Sequence, residues 1–483
     1  MLRERPLVAQ VERTGSALEW ARAHDVLEEK NIKFGPLIAI LEALPLEPAL
    51  PILRETYSPN KGRPAYDPLL LFRTELARRI LRVDSRDDFA EKTLAPDKTF
   101  RLLLGYGIDG PVPCGQTLRR FEHRICPSRR RSVRMPKKHS HAHKGKNPTE
   151  RAARFLLRHQ GKPIPLRAPS SVDRLLRTVG FEPALSRGLI PDDAALIADG
   201  TFLPSRTRGQ GRKSCTHGRT PCDCERIYTD PLARHGSDHH EQKTVYGYLA
   251  NIACLDTLLG DPLVLSITMH PASRHDGIAT FMTLARTQDL YPEIWGRIST
   301  LDAASDSDAH GRFLRAISLV PVIPLKAPGK GGYAIDNIPF TNQGVPLCAA
   351  GFPMLPHGSA KGRQRWICPG EVARSDVPRH MPCHQKGFRT LSFTAEDDPR
   401  LIAGVHREGL AFRKIYGRRA AIERAVNKPA MSDGNLEHTS RVQSRGRRHF
   451  DLFIETLIGY ARAFIRWAKR NTPQGPSPVD ARS

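Results

Sequence analysis

The stretch AALIADGTFLP, residues 194–204, is an apolar run carrying a single carboxylate, Asp199, in its middle. Apolar runs of roughly four to eight residues bounded by turn formers suit a central strand. Here Pro191-Asp192-Asp193 precedes the run and Pro204-Ser205 follows it. An acid inside a buried strand has to be paired or metal-bound, because an isolated buried charge is very costly. Asp-Gly is also the strongest short turn signal, so the alternative reading is a hairpin turn at Asp199-Gly200.

Working outward, a polar loop over 205–242 leads to KTVYGYLANIACLD, PLVLSITMH and RISTLDAAS, which read as three strands, the last ending on Asp302. HDGIATFMTLARTQ, between the second and third, reads as a helix capped by Asp276. A helix over 307–318 and the strand LVPVIPLK follow. Three strands, a further strand after a helix, and a last strand after a second helix is the order of an RNase H-like fold: a mixed α/β sheet flanked by helices.

The expected organisation is a self-contained helical N-terminal domain over 1–126 and a basic linker over 127–170. The first part of the catalytic domain follows at 171–326, then a strand-rich insertion at 327–400. Its second part is expected at 401–470, with a disordered tail at 471–483. In the N-terminal part, Asp67-Pro68 opens PLLLFRTELARRILRV at helical spacing, and TLRRFEHRI places Leu118, Phe121 and Ile125 inward. Arg119, Arg120, His123 and Arg124 are then left to meet DNA, as in a helix-turn-helix. The linker holds thirteen Lys/Arg and four His against the single acid Glu150 in residues 127–169. Such a segment cannot collapse into a core and is suited to tracking phosphates.

Composition agrees with that partner. Lys plus Arg number 75 against 50 Asp plus Glu, a net charge of +25, and so large a surplus self-repels unless a polyanion accepts it. Aromatic residues are only 7% of the chain, too few for a single-strand binder that stacks bases. The opening MLRERPLVAQVERTGSALEW has no continuous apolar core, and Phe450–Trp467 is interrupted by Asp451, Glu455 and Arg462. The expectation is therefore no export signal, no membrane span and a cytoplasmic, nucleoid-associated protein.

Two strand acids, Asp199 and Asp302, and a helix acid, Glu423, can converge at one sheet end, where carboxylates suit Mg²⁺ or Mn²⁺. Tyr416, Arg419 and Glu423 fall on one face of a single predicted helix. IADGT, TLDAASDS and YGRRAAIER resemble the three catalytic blocks of bacterial insertion-sequence transposases of the DDE type. The 121 positions from Asp302 to Glu423 match the long insertion of such relatives. YDPLLLFRTELARRIL and TLRRFEHRI resemble the same family's N-terminal domain. The resemblance implies Asp199, Asp302 and Glu423 as metal ligands supported by Tyr416 and Arg419, with Mg²⁺ or Mn²⁺ as cofactor. The enzyme it implies cleaves and joins double-stranded DNA at terminal inverted repeats, as a homodimer holding two ends. The alternative is a catalytically inactive descendant that only binds DNA. Two departures stand out: Ala430 occupies the place of the family's usual Lys, leaving Lys428 as the nearest phosphate contact, and Ser305 stands where relatives often carry an aromatic.

The nine cysteines point to a reducing compartment rather than a disulfide framework. Two sets are candidates for structural Zn²⁺: Cys215, His217, Cys222 and Cys224 in the loop after the Asp199 strand, and Cys348, Cys368, Cys383 and His384 in the insertion.

Overall fold

The computed structural model describes residues 27–58, 65–107, 109–127, 133–135, 168–218, 222, 224–238, 242–294, 298–329, 331–360, 362–371, 390–427 and 444–471. Its N-terminal part contributes helices α1 (Leu27–Ala43), α2 (Pro68–Ile80) and α3 (Gly115–Ile125). The Asp67 carboxylate accepts the Leu69 N–H at 2.7 Å and so caps α2, with Pro68 at the position where a missing N–H costs nothing. Leu118, Phe121 and Ile125 of α3 are buried, as their spacing predicts.

The central sheet is built from β1 (Leu196–Pro204), β2 (Arg234–Asp238), β3 (Lys243–Leu255), β4 (Leu263–Pro271), β5 (Ile298–Thr300) and β6 (Val320–Val322). Across the sheet β3, β1, β5 and β6 lie side by side, and β2 and β4 share the far edge of β3. β1, β5 and β6 are parallel, while β3 runs against β1 and β4 against β3. Helix α4 (Asp276–Leu290) connects β4 to β5, and α5 (Asp308–Ala316) connects β5 to β6. The protein is thus mixed α/β. β1 is unbroken: Asp199 pairs with Ile252 and Gly200 with Asn251 in the β3 register. The hairpin-turn reading of Asp199-Gly200 is therefore overturned, and the apolar run is the buried strand.

Beyond the strands Tyr333–Ile335, Ile338–Phe340, Leu355–Ala360, Arg363–Ile367 and Thr390–Thr394, the chain returns through α6 (Leu410–Gly417), α7 (Ala420–Asn427) and α8 (Arg445–Asn471). The short strands enclose a small core of their own, with Phe340, Trp366, Cys368 and Phe393 at its centre. Arg400 pairs with Asp306 at 2.8 Å, and Arg407 donates to the Ile323 carbonyl at 2.9 Å, which ties this core to the sheet.

The N-terminal helices are not packed on themselves alone. They share one continuous core with α8, where Phe72 stacks on Phe453 at 6.0 Å and Phe121 meets Phe450 edge-on at 6.2 Å. Asp451 and Glu455, which the sequence places among the charges that make α8 a polar-faced helix, are buried instead. The physical reason lies far away in the chain. Arg78, itself fully buried, reaches Asp451 at 3.3 Å and Glu75 at 2.9 Å; Arg86 takes Glu75 at 2.6 Å and Glu122 at 3.0 Å; Arg79 takes Glu455 at 2.5 Å. Each charge is matched, which is the condition for ion pairs to be tolerated in a core. On the same helix face, one turn before Asp451, Arg448 donates to the Pro204 carbonyl at 2.6 Å and anchors the end of β1. Among the described residues no single helix is long and apolar enough to cross a membrane.

Candidate active site

Parallel pairing sets the first two acids. Ile197 of β1 is level with Thr300 of β5. Asp199 and Asp302 each lie two residues further on, so they stand at the same height, Asp199 within the longer β1 and Asp302 beyond the carboxyl end of β5. Grooves beyond strand carboxyl ends are where open α/β sheets bind ligands. Asp302 falls two residues past its strand, and its carboxylate caps the following turn by accepting the Ser305 N–H at 3.2 Å and hydroxyl at 3.1 Å. Ser305, a buried small side chain, fits this turn directly.

The third acid arrives by a different route from the one predicted. The single helix expected to carry Tyr416, Arg419 and Glu423 on one face is broken into α6 and α7 at Arg418-Arg419. The break follows from where the two arginines go. Arg418 donates to the Asp193 carbonyl at 2.5 Å and lies 3.5 Å from Asp256, whose carboxylate accepts the Ala195 N–H at 2.6 Å; the turn is thereby fixed to the entry of β1. Arg419 then reaches the site, donating to Asp199 Oδ2 at 3.1 Å and to Glu423 Oε1 at 3.0 Å. Its guanidinium stands between the two carboxylates. Tyr416 stacks on Phe412 at 5.7 Å, with its hydroxyl within electrostatic reach of Arg419, Asp302, Glu423 and Asp199.

A fourth acid lies within electrostatic reach of this group, and the sequence reading missed it. Asp276 is not the cap of α4; His275 holds that position without a side-chain capping hydrogen bond, and Asp276 is the first helical residue. Its Oδ1 accepts from Asn251 Nδ2 at 3.2 Å. Burial first, then the charges of Asp199 and Asp302, push its carboxyl up to about 7. Burial likewise raises Asp199; the Gly200 N–H and Arg419 oppose it, while Asp302 and Glu423 add to it. Gly200 explains how Asp276 fits: a Cβ there would stand 2.3 Å from Asp276 Oδ1 and 2.9 Å from Leu249 Cδ1. The signal that could have found Asp276 is the Asp-Gly pair itself, since a glycine inside a regular strand marks a close approach. Clustered carboxylates that raise one another's proton affinity are electrostatically suited to a cation.

The basic residues predicted on α3 are in part engaged within the chain. Arg119 forms a two-pronged pair with Asp87 at 2.7 and 3.0 Å, and Arg124 lies over the Tyr57 ring at 4.2 Å. Arg120 is exposed. Residues 22–124 match the family model described as Transposase domain (DUF772). That match takes in α2 and nearly all of α3, and it supports a transposase family, hence a DNA-processing enzyme with DNA as its partner. No curated protein matches the chain. Most of the basic linker, Lys428 and the tail beyond Asn471 lie outside the described residues.

Of the two cysteine sets, the first is brought together. Cys215 and Cys222 sulfurs are 3.4 Å apart, and His217 Nε2 lies 2.8 Å from Cys224 Sγ and 3.7 Å from Cys222 Sγ. Among the described residues this is the set of metal-type donors whose atoms all fall within 4.8 Å of one another. In the second set Cys348 and Cys368 are buried in the insertion's core, and Cys383 and His384 lie outside the described residues.

Proposed function

We propose that the chain is a DDE-type DNA transposase of an insertion sequence, with an RNase H-like catalytic domain, binding element ends and catalysing DNA strand cleavage and strand transfer. The observation that carries this reading is the level placement of Asp199 on β1 and of Asp302 just past its parallel neighbour β5, with Arg419 and Glu423 delivered to them from α7 and the turn before it. The strand order and directions of the sheet support the RNase H-like reading, and the match over 22–124 supports the enzyme class.

The donor set fits a hard divalent cation: Asp199, Asp302 and Glu423 are the residues that would hold Mg²⁺ or Mn²⁺, all through oxygen. Bound there, the metal would supply Lewis-acid stabilisation of the phosphodiester and activation of water or a DNA 3′-hydroxyl. The chain's own residues do the rest. Arg419 offers a planar guanidinium for a phosphate oxygen and neutralises Asp199 and Glu423. Asn251 orients Asp276, and Arg418 fixes the turn that delivers Arg419. The basic linker, Arg120 and Lys428 are the cations assigned to the DNA backbone, with Arg119 and Arg124 joining them once DNA competes for their present contacts. A dimer would hold the two element ends.

The competing reading, a DNA-binding descendant that has lost catalysis, draws on Arg419 already occupying the space between two of the acids. Full-length protein incubated with DNA bearing the element's own ends separates the two. Mg²⁺-dependent nicking and joined product is the expected result, and salt-sensitive binding without any metal-dependent cleavage would select the descendant.

A further inference from the structure

The loop after β1 has no role in that reading, yet it holds the tightest donor cluster among the described residues. Cys215 follows the two-residue strand Arg212–Lys213, and Cys224 precedes Arg226–Tyr228; the strands pair Arg212 with Ile227 and Lys213 with Arg226. Val133–Met135, from the basic linker, adds to the other edge of Arg226–Tyr228. Strands this short, with Arg212 and Lys213 both exposed, bury too little to hold themselves together. Small units without a core are ordinarily stapled by a metal or a disulfide.

We propose that Cys215, His217, Cys222 and Cys224 form a structural Zn²⁺ site that closes this hairpin and thereby fixes the edge on which the linker strand docks. Three sulfurs and one imidazole nitrogen are a complete tetrahedral set for zinc. With metal–sulfur bonds of about 2.3 Å and metal–nitrogen bonds of about 2.05 Å, tetrahedral ligands lie roughly 3.8 Å (S to S) and 3.5 Å (S to N) apart. The sulfur pair at 3.4 Å and the nitrogen–sulfur distances of 2.8 and 3.7 Å lie around these values, so little rearrangement is needed. A disulfide between Cys215 and Cys222 would need a separation of about 2.05 Å. Soft sulfur donors also separate this site from the oxygen donors of the acids, so the two would not compete for one metal. Each coordinating thiol gives up its proton to solvent on binding. The inference stands whichever chemistry the acids perform.

The test is metal analysis of the full chain purified under reducing conditions, followed by exchange of Zn²⁺ for Co²⁺. The expected result is one zinc equivalent removed by His217→Ala or Cys224→Ser, together with tetrahedral thiolate–Co²⁺ absorption that weakens more than tenfold in either variant and is unchanged in Cys348→Ser. His217 is exposed, so that variant keeps the fold, which circular dichroism checks. Hydrogen exchange over residues 212–228 should rise on chelation. Absence of zinc and of the Co²⁺ bands, zinc lost from Cys348→Ser but kept by His217→Ala, or a Cys215–Cys222 disulfide that mass spectrometry finds persisting under those reducing conditions would each overturn the proposal.

Discussion

Gly200→Ala puts one methyl group where β1 meets Asp276. The new Cβ would lie 2.3 Å from Asp276 Oδ1 and 2.9 Å from Leu249 Cδ1. Leu249 can give at the tip of its side chain. Asp276 has a short side chain whose carboxylate is held by Asn251 at 3.2 Å, so it must retreat by about 1 Å to restore an ordinary contact. Overpacking of this kind costs about 1–3 kcal/mol. A misplacement of about 1 Å within a catalytic group can cost on the order of 100-fold in rate. The expected outcome is a thermal midpoint lowered by several degrees and metal-dependent DNA cleavage reduced about 100-fold, with DNA binding intact. Gly459→Ala is the control: it sits on the exposed side of α8, its Cβ would meet nothing within 4 Å, and a helical alanine there should stabilise by about 0.5–1 kcal/mol. Asp276→Ala in the Gly200→Ala background removes the clashing oxygen and should recover most of the stability, a non-additivity expected of groups in contact. An unchanged midpoint and unchanged cleavage in Gly200→Ala would refute the close approach as the reason for the glycine.

Asp276→Asn tests the electrostatics of the site in metal-free protein. Its folded pKa, about 7, lies above the ordinary 3.8, so the unfolded chain releases the proton first and the stability penalty grows from about pH 4 to pH 7. The variant should therefore gain stability at pH 8 relative to pH 4, by up to a few kcal/mol at roughly 1.4 kcal/mol per pH unit, read from urea midpoints at both pH values; parallel pH profiles for the two proteins would contradict it. Asp451→Asn leaves Arg78, Arg86 and Arg447 facing a neutral amide in the core and should destabilise by about 3–5 kcal/mol. Burial favours the neutral acid there, but Arg447, Arg79, Arg78 and Arg86 outweigh it and hold Asp451 far below the carboxylate range. Its contribution is accordingly present above about pH 4 and is lost only in strong acid, so wild type and variant should converge in stability as the pH falls; a gap that persists there would argue against this ion pairing.

What could be read from the chain divides along the distance over which the cause acts. Asp199 was legible because an acid in an apolar run is a local anomaly, and the strand–helix order around it follows from local periodicity. Asp276 was not, because an acid in the first turn of a helix looks like ordinary end chemistry; only the sheet register shows that it faces Gly200 and Asn251. Asp451 looked like part of a solvated helix face, since its partner Arg78 lies 373 residues earlier. The helix carrying Tyr416 to Glu423 had one local break signal, Gly417, the last residue of α6, which alone does not fix where the chain turns. The break comes from Arg418 and Arg419 turning to Asp193 and Asp199, contacts that no helical pattern encodes. The cysteine loop was legible as a set, Cys215, His217, Cys222 and Cys224, but not in geometry, because its spacings are irregular and the short strands that bring the donors together carry no apolar pattern.

Asp199→Asn is the substitution that bears most directly on the central claim, because it keeps the side-chain volume while removing one charged oxygen from the shared site. Cleavage and joining of DNA carrying the element's ends should be measured with Mg²⁺, alongside DNA binding, for Asp199→Asn, Asp302→Asn, Glu423→Gln and the pairwise combinations. The account predicts that any one substitution lowers cleavage by orders of magnitude with binding preserved, and that a second adds little, since groups acting as a unit are far from additive. Cleavage at the wild-type rate by Asp199→Asn, with binding intact, would contradict it.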